Sequence, residues 1–141
     1  MTATKNLKQI FINGIIAGIL LLAIYFIALF LGIYLFPTLV EEYYSPVFNM
    51  EGNKAILYFL HPFIVSFALA WFWQRFKSFF KGSSWQRGLE VGLIYGVVAV
   101  LPSMWIIFSA FAVSFPLVIS WFFYGFMQGI VTGVFNAKIS P

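Results

Sequence analysis

The stretch Ile10–Phe36, IFINGIIAGILLLAIYFIALFLGIYLF, contains no charged side chain. An α-helix crosses the hydrocarbon core of a bilayer with about 20 apolar residues, so this run is long enough to cross. A secretory signal has a shorter apolar region followed by a small-residue cleavage site, and this run has neither. We therefore predict a retained transmembrane helix, which Pro37 ends.

Three further apolar runs follow. They cover about 54–76, 84–110 and 116–136. Asn53 is placed to cap the second run, and Ser83 with Gln86 forms a capping box before the third. Pro102 predicts a kink in the third run, whereas Pro116 is tolerated in the first turn of the fourth. Since the runs fill nearly all of the chain, we predict an all-α fold, a single domain over 1–141 with four transmembrane helices.

Composition supports this prediction. Apolar residues make up 62% of the chain and charged residues 9%, whereas a soluble domain carries about 25% charged residues. The absence of cysteine excludes disulfides and Cys-ligated metals. The net charge of +4 suggests no nucleic-acid partner, because the charges lie between apolar runs and form no basic stripe.

The distribution of charge predicts the orientation of the helices. Basic residues gather on one side of a four-span chain: Lys5, Lys8, Arg75, Lys77, Lys81, Arg87 and Lys138. Only Lys54 falls on the other side, beside three of the four carboxylates. The positive-inside rule then places both termini in the cytoplasm. We expect a multi-pass protein of the cell (inner) membrane.

The connection between the second and third helices predicts a contact with lipid headgroups. Its basic residues are Arg75, Lys77, Lys81 and Arg87, and aromatic residues stand among them. Basic residues near an anionic leaflet each contribute about 1 kcal/mol to membrane attachment. We expect general anchoring on the bilayer rather than recognition of one lipid.

Glycines recur at every fourth residue in two of the helices. The third helix carries Gly88, Gly92 and Gly96, and the fourth carries Gly125, Gly129 and Gly133. Such stripes allow helices to approach closely in lipid, and Gly14 and Gly18 form a weaker version in the first helix. Two stripes exceed what one bundle needs unless they face each other. This excess favours a homo-oligomer or a subunit of a larger membrane complex.

Polar side chains share these faces, and they allow two interpretations. Tyr25, Tyr95, Gln128 and Thr132 lie near the glycines on a helical projection, as do Ala99 and Ser103. They are either hydrogen-bonding groups between helices or the lining of a cavity for a polar solute. Both interpretations remain open at the level of the sequence.

His61 and Glu90 are ionisable groups within the apolar runs, where such groups suggest function. His61 could relay protons or bind a haem or pigment, or it could simply bond a carbonyl, Tyr58 or the outer loop. Glu90 could couple transport to protons, but a pair with Arg87 three residues earlier is the simpler expectation. The chain has no Asp and no catalytic set. We predict no enzymatic activity, cofactor or metal.

The segment Tyr44-Ser45-Pro46-Val47-Phe48, after a first span ending in Gly32-x-Tyr34, resembles one known pattern. It is similar to an element of a group of small four-span bacterial membrane proteins that have no established activity. This chain departs from that pattern by Tyr43 in place of the common Trp and by a shorter spacing to Phe48. The resemblance implies the four-span fold and no particular function.

Together these patterns predict a small polytopic membrane protein without catalytic activity, acting as a structural or accessory subunit or associating with itself. The alternative is a small-solute or proton-coupled carrier that uses His61, Gln128 and Glu90. A third hypothesis is binding of haem or pigment at His61.

Overall fold

The structure is a computed structural model that describes residues 2–48, 52 and 54–141. Over these residues the chain is all-α and no strand occurs. The helices are α1 (Thr2–Leu35), α2 (Pro37–Glu41), α3 (Lys54–Phe76), α4 (Ser84–Tyr95), α5 (Leu101–Ala110) and α6 (Phe115–Ile139). A short 3-10 turn, Glu42–Tyr44, follows α2, and a π-helical segment, Gly96–Val100, joins α4 to α5.

Four helical stretches are long and apolar enough to cross a membrane. They are Asn6–Leu35, Ile56–Phe76, Ser84–Ala110 and Phe115–Ile139. The prediction of an all-α chain with four long apolar helices is thus confirmed. The first helix starts earlier than the apolar pattern indicated, and the last one continues further, to Ile139.

Local sequence signals fix several helix ends. Ser83 Oγ accepts a hydrogen bond from Gln86 N at 3.3 Å, and Gln86 Oε1 accepts one from Ser83 N at 2.8 Å, which completes the predicted capping box. Ser114 caps α6, with Pro116 in its first turn. These groups satisfy backbone donors that a helix start leaves free. The predicted cap at Asn53 lies outside the described residues.

The π-helical segment lies directly before Pro102. Leu101 N donates to Gly96 O, five residues back, so this turn holds more residues than an α-turn. Proline lacks the N–H of an ordinary helical residue and its ring crowds the preceding turn. The predicted irregularity at Pro102 is therefore a widened turn rather than a break in the helix.

Residues within and just after this turn point in other directions than the sequence pattern predicted. Ala99 and Ser103 are exposed rather than on the packed side, and Ser103 Oγ donates to Ala99 O at 2.7 Å. Val100 is buried instead and lies against Gly125 of α6. The prediction for Ala99 and Ser103 was wrong because it assumed an unbroken α-helical period.

The long helices form two antiparallel pairs. α1 packs along α3, and the α4–α5 stretch packs along α6, which also contacts α3 and α1. We call one end of the molecule the terminal end, since it holds the first turns of α1, the connection from α3 to α4 and the last turn of α6. The opposite end, which holds the Pro37–Phe48 segment and the start of α6, is the cavity end.

The glycine stripes of α4 and α6 face each other. A Cβ added to Gly129 would lie 3.0 Å from Gly92 Cα, and one added to Gly133 would lie 2.9 Å from Gly88 O. In α1, by contrast, Gly18 faces the ring of Phe63 on α3. The stripes of α4 and α6 are therefore occupied within the chain, and association between copies would need other surfaces.

Candidate ligand-binding cavity

A cavity of about 1160 Å³ lies at the cavity end. Its wall is formed by α1, the Pro37–Phe48 segment, α3 and α6. Two of its wall residues, Ile33 and Phe36, expose at least half of their surface, so this part of the wall reaches the surface of the molecule. Its volume lies somewhat above the usual range for small-molecule sites, about 300–1,000 Å³.

Apolar and aromatic side chains line most of this cavity. Leu29, Leu35 and Leu39 form part of the wall. None of the described residues that line it carries a formal charge. A mostly apolar wall with a few polar groups is typical of sites that bind small organic molecules.

Five tyrosines line the cavity; Tyr44 is largely exposed, and the other four come from four different segments. Tyr25 comes from α1, Tyr43 from the 3-10 turn, Tyr58 from α3 and Tyr124 from α6. The Tyr25 ring lies edge-on to Tyr58 at 5.5 Å and to Tyr124 at 6.3 Å between centroids. Edge-to-face aromatic contacts at these distances are favourable. We call this group of four the tyrosine cluster.

Tyr43 is held in place by Trp121 of α6. The Trp121 Nε1–H donates to the Tyr43 hydroxyl oxygen, and the two rings lie 6.0 Å apart. A hydroxyl that accepts in this way keeps its own proton for another acceptor. Burial raises the pKa of the Tyr43 hydroxyl above its usual value of 10.0, so the group stays uncharged at neutral pH.

Tyr124 contributes a buried hydroxyl next to Gln128. Its oxygen makes no hydrogen bond of good geometry within the described part of the chain, although the Gln128 side chain lies close enough to interact with it. One turn further along α6, Gln128 is 1% exposed and its Nε2 also lacks a partner there. Most buried polar groups in proteins are hydrogen-bonded, because leaving one unsatisfied costs about 1–3 kcal/mol. This part of α6 thus has uncommitted hydrogen-bonding capacity.

The Pro37–Phe48 segment is tied to the start of α6. Both oxygens of the Glu42 carboxylate accept from Ser114, one from Oγ at 2.5 Å and one from the backbone N at 3.3 Å. Ser114 Oγ also accepts from Leu117 N at 3.3 Å as the cap of α6. These bonds hold the segment over the cavity.

A second polar cluster lies at the terminal end, and its members satisfy one another. Asn13 Nδ2 donates to Asn136 Oδ1 at 2.9 Å and to Ser140 Oγ at 3.1 Å, while Gln9 Nε2 donates to Ser140 Oγ at 2.5 Å. The Trp73 indole N–H donates to Ser140 O at 2.8 Å. This cluster connects α1, α3 and α6, and its bonds are those of packing rather than of an open site.

The polar residues singled out from the sequence do not form one site. Tyr25 lines the cavity, and Gln128 and Thr132 are buried on α6. Tyr95 is the last residue of α4. It is half-buried, and its ring lies against Gly129 of α6.

The two ionisable candidates lie away from the cavity. His61 is exposed on α3 and is not part of the cavity wall, and Glu90 is exposed on α4. The predicted pair of Glu90 with Arg87 does not form. The Arg87 guanidinium instead lies 4.6 Å from the ring centre of Trp73, and its Nη2 donates to Lys77 O at 3.3 Å. A cation over an indole face is a favourable alternative partner.

The basic residues predicted to contact headgroups lie together at the terminal end. Arg75 and Lys81 are exposed. Lys77 Nζ is partly engaged, since it donates to Ser140 O at 3.4 Å and to Pro141 O at 3.2 Å. Arg75 and Lys81 are therefore the two members whose side chains are most accessible to an external anion.

Sequence reasoning missed Tyr43, Tyr58, Tyr124 and Trp121 as site residues. Their positions near helix ends are also those of ordinary interfacial aromatics, which concealed them. One signal was present, a polar residue at every fourth position along α6 and its C-cap: Tyr124, Gln128, Thr132, Asn136 and Ser140. Four of these five side chains are buried.

Comparison with known proteins adds no relative. No family model, no curated protein and no solved structure matches this chain. The resemblance through Tyr44–Phe48 therefore stays a prediction, and function is argued from the chain's own residues.

Proposed function

We propose that this protein spans a bilayer four times with both termini in the cytoplasm, and that it is a non-catalytic binding protein for an uncharged, membrane-soluble molecule. Large apolar side chains are exposed along all four long helices, for example Phe30, Ile64, Val98 and Phe123. Exposed apolar surface of this extent fits lipid as the solvent. In this orientation the terminal end faces the cytoplasm and the cavity lies in the outer half of the membrane.

The observation that carries the binding role is the uncharged cavity beneath the Pro37–Phe48 segment. It combines a volume of about 1160 Å³, a mostly apolar wall, and exposed apolar wall residues such as Ile33 and Phe36, which lipid would contact in this orientation. A molecule dissolved in the bilayer could enter there without passing through water. Since the cavity wall holds no acid, base or thiol among its described residues, binding without chemical conversion is the role it supports.

The orientation is tested by cysteine labelling, for which a chain without native cysteine is well suited. Glu41→Cys and Ser78→Cys place single thiols at exposed positions of the two ends. A membrane-impermeant maleimide applied to intact spheroplasts should label the first variant and not the second. Labelling of Ser78→Cys in sealed spheroplasts would overturn the orientation.

The binding role is tested with a side chain that fills the cavity. Gly32 lines the cavity, and a Cβ there would meet only Val40 Cγ2 at 3.7 Å. Gly32→Phe should therefore fold and should lose lipid-soluble molecules that co-purify with the native chain in mild detergent. Ala23→Phe, on an exposed position of α1 outside the cavity, is the matched control. Equal solvent-extractable content in all three proteins would remove the binding proposal.

A structural or accessory subunit is the second candidate, and one observation favours it. The α4–α5 stretch packs mainly along α6. Its side chains Trp105 and Ile106 expose 76% and 65% of their surface. If this face binds another subunit, Trp105→Ala should lower the mass of the complex measured by light scattering in mild detergent. A monomeric native chain, isolated without partners, would exclude this role.

A further inference from the structure

The tyrosine cluster defines the chemistry of the molecule that would occupy the cavity. We propose that the cavity binds an uncharged lipid with a carbonyl-bearing head group, and that the hydroxyl of Tyr124 donates a hydrogen bond to this carbonyl. This inference rests on the proposed binding role and specifies its ligand.

The described part of the cavity wall favours an uncharged occupant, because it offers no counter-ion. The described lining residues include no Lys, Arg, His, Asp or Glu. Transfer of an unpaired ion from water into an apolar site is strongly unfavourable. A fatty-acid anion, a phospholipid headgroup or an ammonium ion would meet only phenol and alcohol groups. The wall thus selects against charged head groups.

The occupant must also be able to accept hydrogen bonds. The Tyr124 hydroxyl is buried beside Gln128, and its proton has no acceptor at hydrogen-bond geometry within the described residues. The Tyr43 hydroxyl oxygen already accepts from Trp121, which leaves its proton available. A carbonyl oxygen has two lone pairs and can accept from two such hydroxyls. A plain hydrocarbon would fill the volume but leave these donors unsatisfied.

An apolar part of the cavity wall fits the hydrocarbon part of such a lipid. Leu29, Ile33 and Phe36 belong to it and are exposed. A chain attached to the head group could follow this wall towards the exposed side chains. The arrangement of a polar end near the tyrosine cluster and an apolar wall matches an amphipathic, uncharged lipid.

The test compares four probes that have similar alkyl parts. A benzoquinone with a ten-carbon chain and dioctanoylglycerol carry carbonyl groups, whereas decane has no acceptor and decanoate is charged at pH 8. Binding to the purified chain in mild detergent is titrated and measured by native mass spectrometry. We expect one saturable site for both carbonyl probes, and the tighter of the two identifies the class of carbonyl lipid. Decanoate should bind at least tenfold more weakly.

Tyr124→Phe removes only the hydroxyl from the wall. Loss of one neutral hydrogen bond should weaken binding of the carbonyl probes about three- to tenfold and leave decane unchanged. Tyr34→Phe is the matched control, since Tyr34 is 72% exposed and lies outside the cavity wall. Tyr25→Phe provides a second removal of a cluster hydroxyl, should Tyr124→Phe fail to fold.

The outcomes separate the inference from the proposed function. If Gly32→Phe blocks the carbonyl probes but the hydroxyl removals bind them as the native chain does, the carbonyl inference is wrong and the binding role stands. If Gly32→Phe blocks no probe, the binding role fails as well. Decanoate binding as tight as that of the quinone would overturn the requirement for an uncharged head group.

Discussion

The two antiparallel helix pairs use the same glycine spacing in different ways. Between α4 and α6, glycine lies against backbone: a Cβ on Gly92 would come within 2.9 Å of Ile130 N and 3.1 Å of Ile130 Cα. Between α1 and α3, glycine lies against aromatic rings: a Cβ on Gly14 or Gly18 would meet Phe67 or Phe63 at 2.4 Å, with only ring atoms nearest. At these glycines, the α4–α6 interface is therefore limited by backbone contacts and the α1–α3 interface by side-chain contacts.

This difference shows that glycine spacing alone does not indicate how tightly a helix–helix interface is packed. A ring can rotate or shift to admit a methyl group, whereas the backbone of a neighbouring helix moves only if the whole helix moves. We expect the α4–α6 interface to tolerate an added side-chain volume less well than the α1–α3 interface does. Substitutions at matched positions of the two helix pairs test this difference.

The largest effect is expected for Gly92→Ala. The added methyl group would collide with Ile130 Cγ1 and with the backbone of Ile130, so α4 and α6 must separate. We expect a loss of stability of about 2–3 kcal/mol, in the upper range for overpacking, seen as a lower midpoint of thermal unfolding in detergent. Gly32→Ala is the matched control, because its nearest atom would be at 3.7 Å. If the Gly92→Ala variant is as stable as this control, backbone contacts do not limit the approach of α4 and α6.

An intermediate effect is expected for Asn13→Leu, which tests the link between the two pairs. Asn13 of α1 donates to Asn136 and Ser140 at the α6 end of the chain. The substitution leaves Asn136 Oδ1 without this donor, so we expect a loss of about 1–2 kcal/mol, measured by the same unfolding experiment. Ile12→Leu, on an exposed neighbouring position, is the control. If both variants unfold alike, these hydrogen bonds contribute nothing to joining the pairs.

The smallest effect is expected for Gly18→Ala. Its methyl group would press on the half-buried ring of Phe63, which can shift, and alanine favours the helix over glycine by about 1 kcal/mol. The two contributions to stability oppose each other. We therefore expect the midpoint of thermal unfolding of Gly18→Ala to shift by less than half as much as that of Gly92→Ala. The measurement is the ratio of the two shifts. A larger loss for Gly18→Ala would reverse the comparison.

Much of the fold was predictable because long apolar helices have strong sequence signals. Apolar length predicted four long helices, and Ser83 with Gln86 predicted a cap that the structure contains. Pro102 predicted a kink, whereas the structure has a π-helical turn directly before it, because a proline can also be accommodated by a widened turn. The widening then reversed the prediction for Ala99 and Ser103.

The cavity was not predictable, because its residues come together only through the fold. Of the tyrosine cluster, only Tyr25 was selected, since it shares a face with Gly14 and Gly18. Tyr43 depends on where the Pro37–Phe48 segment folds back. The position of this segment depends on bonds such as Glu42 with Ser114, 72 residues apart. No local pattern specifies such a pairing.

The uncharged wall of the cavity also bears on how the site would respond to an energised membrane. Moving one elementary charge through 100 mV involves about 2.3 kcal/mol, and this work is zero for a neutral molecule entering a neutral site. The described wall residues contribute no charge of their own to the field. Occupancy should therefore follow the concentration of the ligand in the bilayer and stay independent of the membrane potential.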